Sequence, residues 1–326
     1  MDFSTIINFD SFSQLVPLVH GSIIAGIILG VLAGLIGPMV HARDLAFAIH
    51  GTSELSFAGA AVALFFGASV TRGAVVGSLV AALILGLLGV KAAERNASIG
   101  IMLPFGMGIG VLFLSLYKGR SSNKFGLLTG QIVAVDTTEL GTLVVVSIFV
   151  AVCLAIIWRP LFFASVDPEA AKARGVPMRF LSIVFMLLLG LTTAMAVQLV
   201  GALLVLSLLI TPTAAAAKVT AHPLAMSLLS IIFATVSAVG GILLSLGPGL
   251  PISPYVTTVS FLIYLVCLVL GAIRQRRGWS RRVSRTVISR TTSCRRLLST
   301  GRCAVISTSP GCQLGTVNWC DTPLRG

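Results

Sequence analysis

Long apolar runs dominate this chain. Nine segments, roughly 15–37, 45–67, 73–90, 99–117, 140–158, 180–199, 201–217, 224–246 and 255–273, are apolar over most of their length. A hydrocarbon core of ~30 Å is crossed by about 20 helical residues, and lipid offers no partner to a bare backbone N–H or C=O. Segments of this length therefore read as membrane-spanning helices. The short alternating segments of a lipid-embedded barrel are not seen. The expected fold is all-α and polytopic. The stretch 180–217 also reads as one long broken helix, which gives eight spans in place of nine.

Composition closes the other routes. Of 326 residues, 56% are apolar and only 10% charged, against roughly a quarter charged in ordinary soluble domains. A soluble globule of this make-up would be left with large exposed apolar patches. That excludes a soluble enzyme, a disordered chain and a disulfide-knitted secreted domain. Cys153 and Cys267 are lone thiols in apolar runs, so no disulfide framework holds the body. The first fifteen residues carry Asp2 and Asp10 and no Lys or Arg, so no cleavable signal is expected.

The net charge of +13 is unevenly spread. Residues 1–273 hold 12 Lys and Arg against 9 Asp and Glu, whereas residues 274–326 hold 11 against 1. The chain thus divides into a membrane domain, 1–273, and a basic tail, 274–326, rich in Arg, Ser, Thr and Cys. The tail has no sustained periodicity and is expected to be a disordered appendage. A reading frame shifted near residue 278 and a basic segment lying on anionic lipid are the alternatives. The spacing of Cys294, Cys303, Cys312 and Cys320 fits no compact zinc site. No nucleic-acid partner is expected.

Orientation follows the Lys and Arg bias. With the N-terminus outside, Arg43, Lys91, Arg95, Arg159, Lys172, Arg174, Arg179 and Lys218 fall on the cytoplasmic side. Arg72, Lys118, Arg120 and Lys124 fall on the outer side. Residues 121–139 are expected to form an outer segment that partly dips into the membrane.

An ionisable group inside a span is costly and suggests function. His50 and Glu54 stand out, in HARDLAFAIHGTSELSFAGAAVALFFG (41–67). Four residues apart on a helix, they share a face with Cβ atoms about 5–6 Å apart. One imidazole nitrogen and one carboxylate oxygen then reach a single divalent cation. A buried hydrogen-bonded pair bridging two helices is the alternative reading. His20, near the outer end of the first span, and Asp136 and Glu139, before the fifth, are expected at the path or its entrance. Each also reads as an interfacial or solvated residue. His41, Arg43 and Asp44 in the first cytoplasmic turn suggest a positioning role.

The cytoplasmic segment SVDPEAAKARGVPMR (165–179) carries complete helix punctuation. Asp167 caps, Pro168 takes the first helical position, Glu169 adds negative charge to the first turn, and Gly175 and Pro177 end the helix. Ala170, Ala171 and Ala173 are expected on its exposed surface, where a cytoplasmic partner would dock. The chain has no phosphate loop, GxSxG or HExxH. It cannot hydrolyse ATP by the phosphate-loop route, and no constellation for a membrane enzyme is found.

The motifs GLIGPMVHARDLAF (34–47), SELSFAGAAVAL (53–64), SIGIMLPFGMGIGVLFLSL (98–116), SVDPEAAKARGVP (165–177) and QLVGALLVLSLLITPTAAA (198–216) occur in one order. In this combination the chain resembles the membrane permease subunit of bacterial ABC importers for zinc, manganese or iron, over residues 15–273. In that family the second motif reads D-x-x-x-H. Aligned on Gly59, this chain has His50 at the position of the Asp and Glu54 at that of the His. The order is exchanged, yet the pair remains one imidazole and one carboxylate.

The resemblance implies a type II importer-like permease in the bacterial cell membrane. No cofactor would be tightly bound. The cargo would be a divalent metal, zinc or manganese first and iron third. His50 and Glu54 would be transient ligands, and segment 165–177, with Asp167, Pro168, Glu169, Ala170, Ala171 and Gly175, the coupling helix. Pro212 would match a later family Pro. The implied partners are a cytoplasmic ATP-binding subunit holding the ATP, an extracytoplasmic metal-binding protein and a second permease chain. A permease for a metal chelate such as a siderophore or cobalamin should lack the mid-span pair. A stand-alone ion-coupled transporter should place acidic residues at broken helices in two related halves.

Overall fold

A computed structural model describes residues 20–88, 92–119, 137–202, 205–245 and 252–273. Asp136 and the tail 274–326 lie outside these residues. Among the described residues the chain forms eleven helices and no strand. They are α1 (His20–Ala42), α2 (Ala46–Phe65), α3 (Val70–Leu88), α4 (Ala92–Leu116), α5 (Thr137–Val166), α6 (Pro168–Ala173), α7 (Met178–Val200), α8 (Val205–Leu209), α9 (Thr211–Val219), α10 (Pro223–Ser245) and α11 (Ile252–Ile273).

Seven of them, α1, α3, α4, α5, α7, α10 and α11, are long and apolar enough to cross a membrane. Apolar side chains cover the outside as well as the core: Ile101, Val145, Ile156 and Leu228 are all exposed. That pattern suits a bundle whose solvent is hydrocarbon. Many hydroxyls inside the helices are absorbed locally. Thr192, Thr193 and Ser237 each donate to the carbonyl four residues back.

Backbones come close where side chains are smallest. α1 packs antiparallel on α10 through Gly26, Gly30 and Gly34. A Cβ on Gly30 would stand 2.7 Å from Thr235 Cα, and one on Gly34 would overlap Ile231. α2 and α3 meet through Gly59, Gly73 and Gly77, with Gly59 and Gly73 backbone to backbone. α2 therefore sits inside the bundle, against α3, α4 and α7.

The seventh expected span, 201–217, departs from a single membrane helix. α7 ends at Gly201, whose φ of +89° suits glycine. The chain resumes as α8 and then α9, which together make a short apolar stretch, Val205–Val219. Pro212, in the first turn of α9, lacks the N–H that would continue the ladder from α8. Ser253 Oγ and Ser260 Oγ of α11 donate to the carbonyls of Val200 and Ser207, at 2.7 and 3.1 Å, where the helices break. The second expected span, α2, has 20 residues but is not among the seven apolar ones. His50, Thr52, Ser53, Glu54 and Ser56 make its middle polar.

Several loops expected on the cytoplasmic side gather at one end. Arg43 touches Ser165 beside α6, Gly37 lies against Thr213, and Lys218 against Gly271. Gly34→Leu should pry α1 from α10. Its cost should exceed about 1–3 kcal/mol, because backbone and not a mobile side chain stands in the way. A thermal-unfolding scan in detergent should show a clear fall in Tm, whereas Gly100→Ala, facing open space, should leave Tm unchanged.

Candidate functional site

The site is built on α2. Ala46 to Phe65 holds a run of small residues, so α3, α4 and α7 press close and its polar middle is enclosed. Glu54 is only 4% exposed. Gly106 of α4 lies on its backbone, where a Cβ would stand 3.1 Å from the Glu54 carbonyl carbon. Glu54's other same-face neighbours on α2, Gly51, Phe57 and Ala58, carry no charge.

The hydroxyls around the pair are committed. Thr52 Oγ1 donates toward the Ala48 and Ile49 carbonyls at 3.0 and 2.9 Å, and lies 3.4 Å from Thr193 Oγ1 of α7. Ser53 Oγ donates to the His50 carbonyl at 2.8 Å, and Ser56 Oγ to the Ala74 carbonyl of α3 at 3.1 Å. His50 is half-buried, and its Nδ1 is buried with no hydrogen-bond partner. A buried polar atom without a partner costs about 1–3 kcal/mol. An imidazole nitrogen and a carboxylate on one helical face are thus the groups left over once α2 has satisfied its hydroxyls.

Imidazole and carboxylate together bind first-row transition metals. Among the described residues no three His, Cys, Asp or Glu side chains gather as a metal site. The described residues of one chain therefore place two candidate donors on α2, short of the four or six groups a tightly held ion takes. His20 is exposed at the first residue of α1 and does not join the pair. Glu139 is exposed in the first turn of α5, and Asp136 lies outside the described residues.

The cytoplasmic helix α6 forms as its punctuation requires. Asp167 caps it, its Oδ1 accepting from the Ala170 N–H at 2.9 Å. Gly175 has φ +77°, its N–H donates to the Lys172 carbonyl, and the Val176 N–H reaches back to the Ala171 carbonyl. This is the Schellman closure that glycine favours. Asp167, Glu169, Lys172 and Ala173 are exposed. Ala171 corrects the sequence expectation. It is fully buried in the core and not on the docking surface, because a one-and-a-half-turn helix needs one face seated on the bundle. Arg174 also holds this end down, its guanidinium carbon 5.2 Å from the centroid of the Phe163 ring.

Comparison with known proteins came out consistently. A family model described as the ABC 3 transport family matches residues 16–271. The manganese transport system membrane protein MntC of Halalkalibacterium halodurans is 31% identical over 222 residues, which cover 68% of this chain and 76% of that protein. The manganese import system permease protein ScaB of Streptococcus gordonii is 28% identical over 253 residues, covering 77% of this chain and 91% of that one. Among solved structures, PsaBC from Streptococcus pneumoniae in complex with Fab is similar with a TM-score of 0.71 and 25% identity. That match covers 79% of this chain and 94% of that one.

The cap on α6 is open to test. Asp167→Ala should destabilise the helix by about 1 kcal/mol. Hydrogen exchange should be faster at the Ala170 amide and unchanged in α10.

Proposed function

This chain belongs to the ABC 3 transport family, and from that premise we propose that it is the membrane-spanning permease subunit of an ATP-binding-cassette importer that carries a divalent transition metal ion into the bacterial cytoplasm. The observation that carries this reading is the left-over pair on α2: a buried Nδ1 with no partner and an enclosed carboxylate one turn away. Relatives named for manganese support that metal as cargo. The carboxylate suits manganese, and the imidazole also accepts zinc and iron.

His50 and Glu54 hold the dehydrated cation in passing. A second copy of the chain, facing the first across the path, brings the same two donors from the other side. A site assembled from two chains comes apart when they move, which lets the ion go, as conduction requires. A metal-binding protein outside the cell delivers the ion. ATP is hydrolysed by a separate cytoplasmic subunit that seats on the exposed face of α6, around Glu169 and Lys172. Closure of the ATPase pair moves α6 and switches the path between outward and inward access.

The test is manganese uptake by the assembled transporter in proteoliposomes. His50→Ala and Glu54→Gln should each lower uptake about tenfold or more, in line with what disturbing a metal site costs. Glu54→Asp should keep part of it. Membrane insertion and co-purification of the ATPase should not change. Wild-type uptake by both variants would remove the pair from the path.

A further inference from the structure

One side chain in the turn between α1 and α2 reaches both helices that flank α6. Arg43 Nε donates to Ser165 Oγ at 2.9 Å, in the last turn of α5 and two residues before the Asp167 cap. The Arg43 guanidinium carbon also lies 5.7 Å from the centroid of the Phe185 ring, about two turns into α7. Phe185 is fully buried, so the ring is a fixed platform. Ser165 Oγ itself donates to the Leu161 carbonyl at 2.7 Å. Its proton is spent there, and a lone pair faces the arginine. α6 hangs between α5 and α7 and is seated by Ala171. Arg43 thus joins both supports of α6 to the root of α2, seven residues before His50.

The turn that carries Arg43 is short and closed. The Arg43 N–H donates to the Met39 carbonyl and the Leu45 N–H to the Val40 carbonyl, at 3.2 and 3.0 Å. Asp44 takes φ +51°, a conformation that Asp tolerates better than most residues. Leu45 is buried. A displacement of Arg43 is therefore passed on to α2, because no slack loop absorbs it.

We propose that Arg43 is a positioning residue that transmits movement of α6 to the His50–Glu54 helix, so that ATP hydrolysis and metal release stay in step. This rests on the reading of α6 as the ATPase docking element. A guanidinium can hydrogen-bond in its plane while its face lies on a ring, which a lysine ammonium cannot do.

The experiment uses the full transporter, permease with its ATPase subunits, in proteoliposomes. It reads ATPase co-purification, ATP hydrolysis and manganese imported per ATP hydrolysed. Arg43→Ala should leave assembly and hydrolysis near wild type and lower the manganese-to-ATP ratio about tenfold, the weight of one hydrogen bond to a charged group. Arg43→Lys and Ser165→Ala should lower the ratio less. The Arg43→Ala/Ser165→Ala double variant should be no worse than Arg43→Ala, since both remove one link. An unchanged ratio in assembled Arg43→Ala transporter, or additive losses in the double variant, would overturn the proposal. If Arg43→Ala fails to fold, Arg43→Lys and Ser165→Ala decide, and wild-type ratios in both would overturn it. Glu169→Arg separates the premise from the proposal. Unchanged co-purification in that variant would remove α6 as the docking element and the proposal with it. Release of the ATPase by Glu169→Arg, with normal ratios in the Arg43 variants, would remove the transmission role alone.

Discussion

Hydrocarbon cannot hydrogen-bond, and most of this structure follows from that. Backbone groups pair within helices, and hydroxyls such as Thr192 and Ser237 turn back on their own carbonyls. Where helices break, at Val200 and Ser207, serines of α11 reach across to the carbonyls there. Among the described residues four buried polar atoms are left without a partner, Ser147 Oγ, Gln198 Nε2, Thr235 Oγ1 and the Nδ1 of His50. Of these, only the imidazole has a carboxylate one turn away on the same helix, which is why the proposed cation contact is placed there.

Apolar seams place that residue. With no hydrophobic force to drive helices together in lipid, close approach depends on small side chains and van der Waals contact. Gly59 and Gly73 bring α3 to within backbone contact of α2, and Gly106 lays α4 over Glu54. These glycines enclose the polar middle of α2, and the same enclosure raises the cost of any charge left there without a partner.

Most spans were legible because length and hydropathy alone define them. Asp167, Pro168 and Gly175 foretold α6 to the residue, since caps and stops act locally. What failed needed three dimensions. The stretch 180–217 read either as two spans or as one broken helix, and only the folded chain shows the breaks, at Gly201 and between α8 and α9 at Pro212. Ala171 was placed on the wrong face because a six-residue helix has too little periodicity to show which side is seated. The reach of Arg43 to Ser165 and Phe185 spans well over a hundred positions along the chain, a pairing no local pattern encodes. His50 and Glu54 were evident as a pair, but the commitment of Thr52, Ser53 and Ser56 elsewhere, which leaves the pair free, was not.

The polarity of α2 also bears on how the protein is made. Its 20 residues are not among the seven helices that length and composition mark as able to cross a membrane. During synthesis it would favour the interface until a neighbour shields its ionisable turn. α3 emerges from the ribosome directly afterwards and meets it at Gly59 and Gly73. The polar turn proposed to meet the cation would thus leave the nascent segment reliant on its successor for shelter.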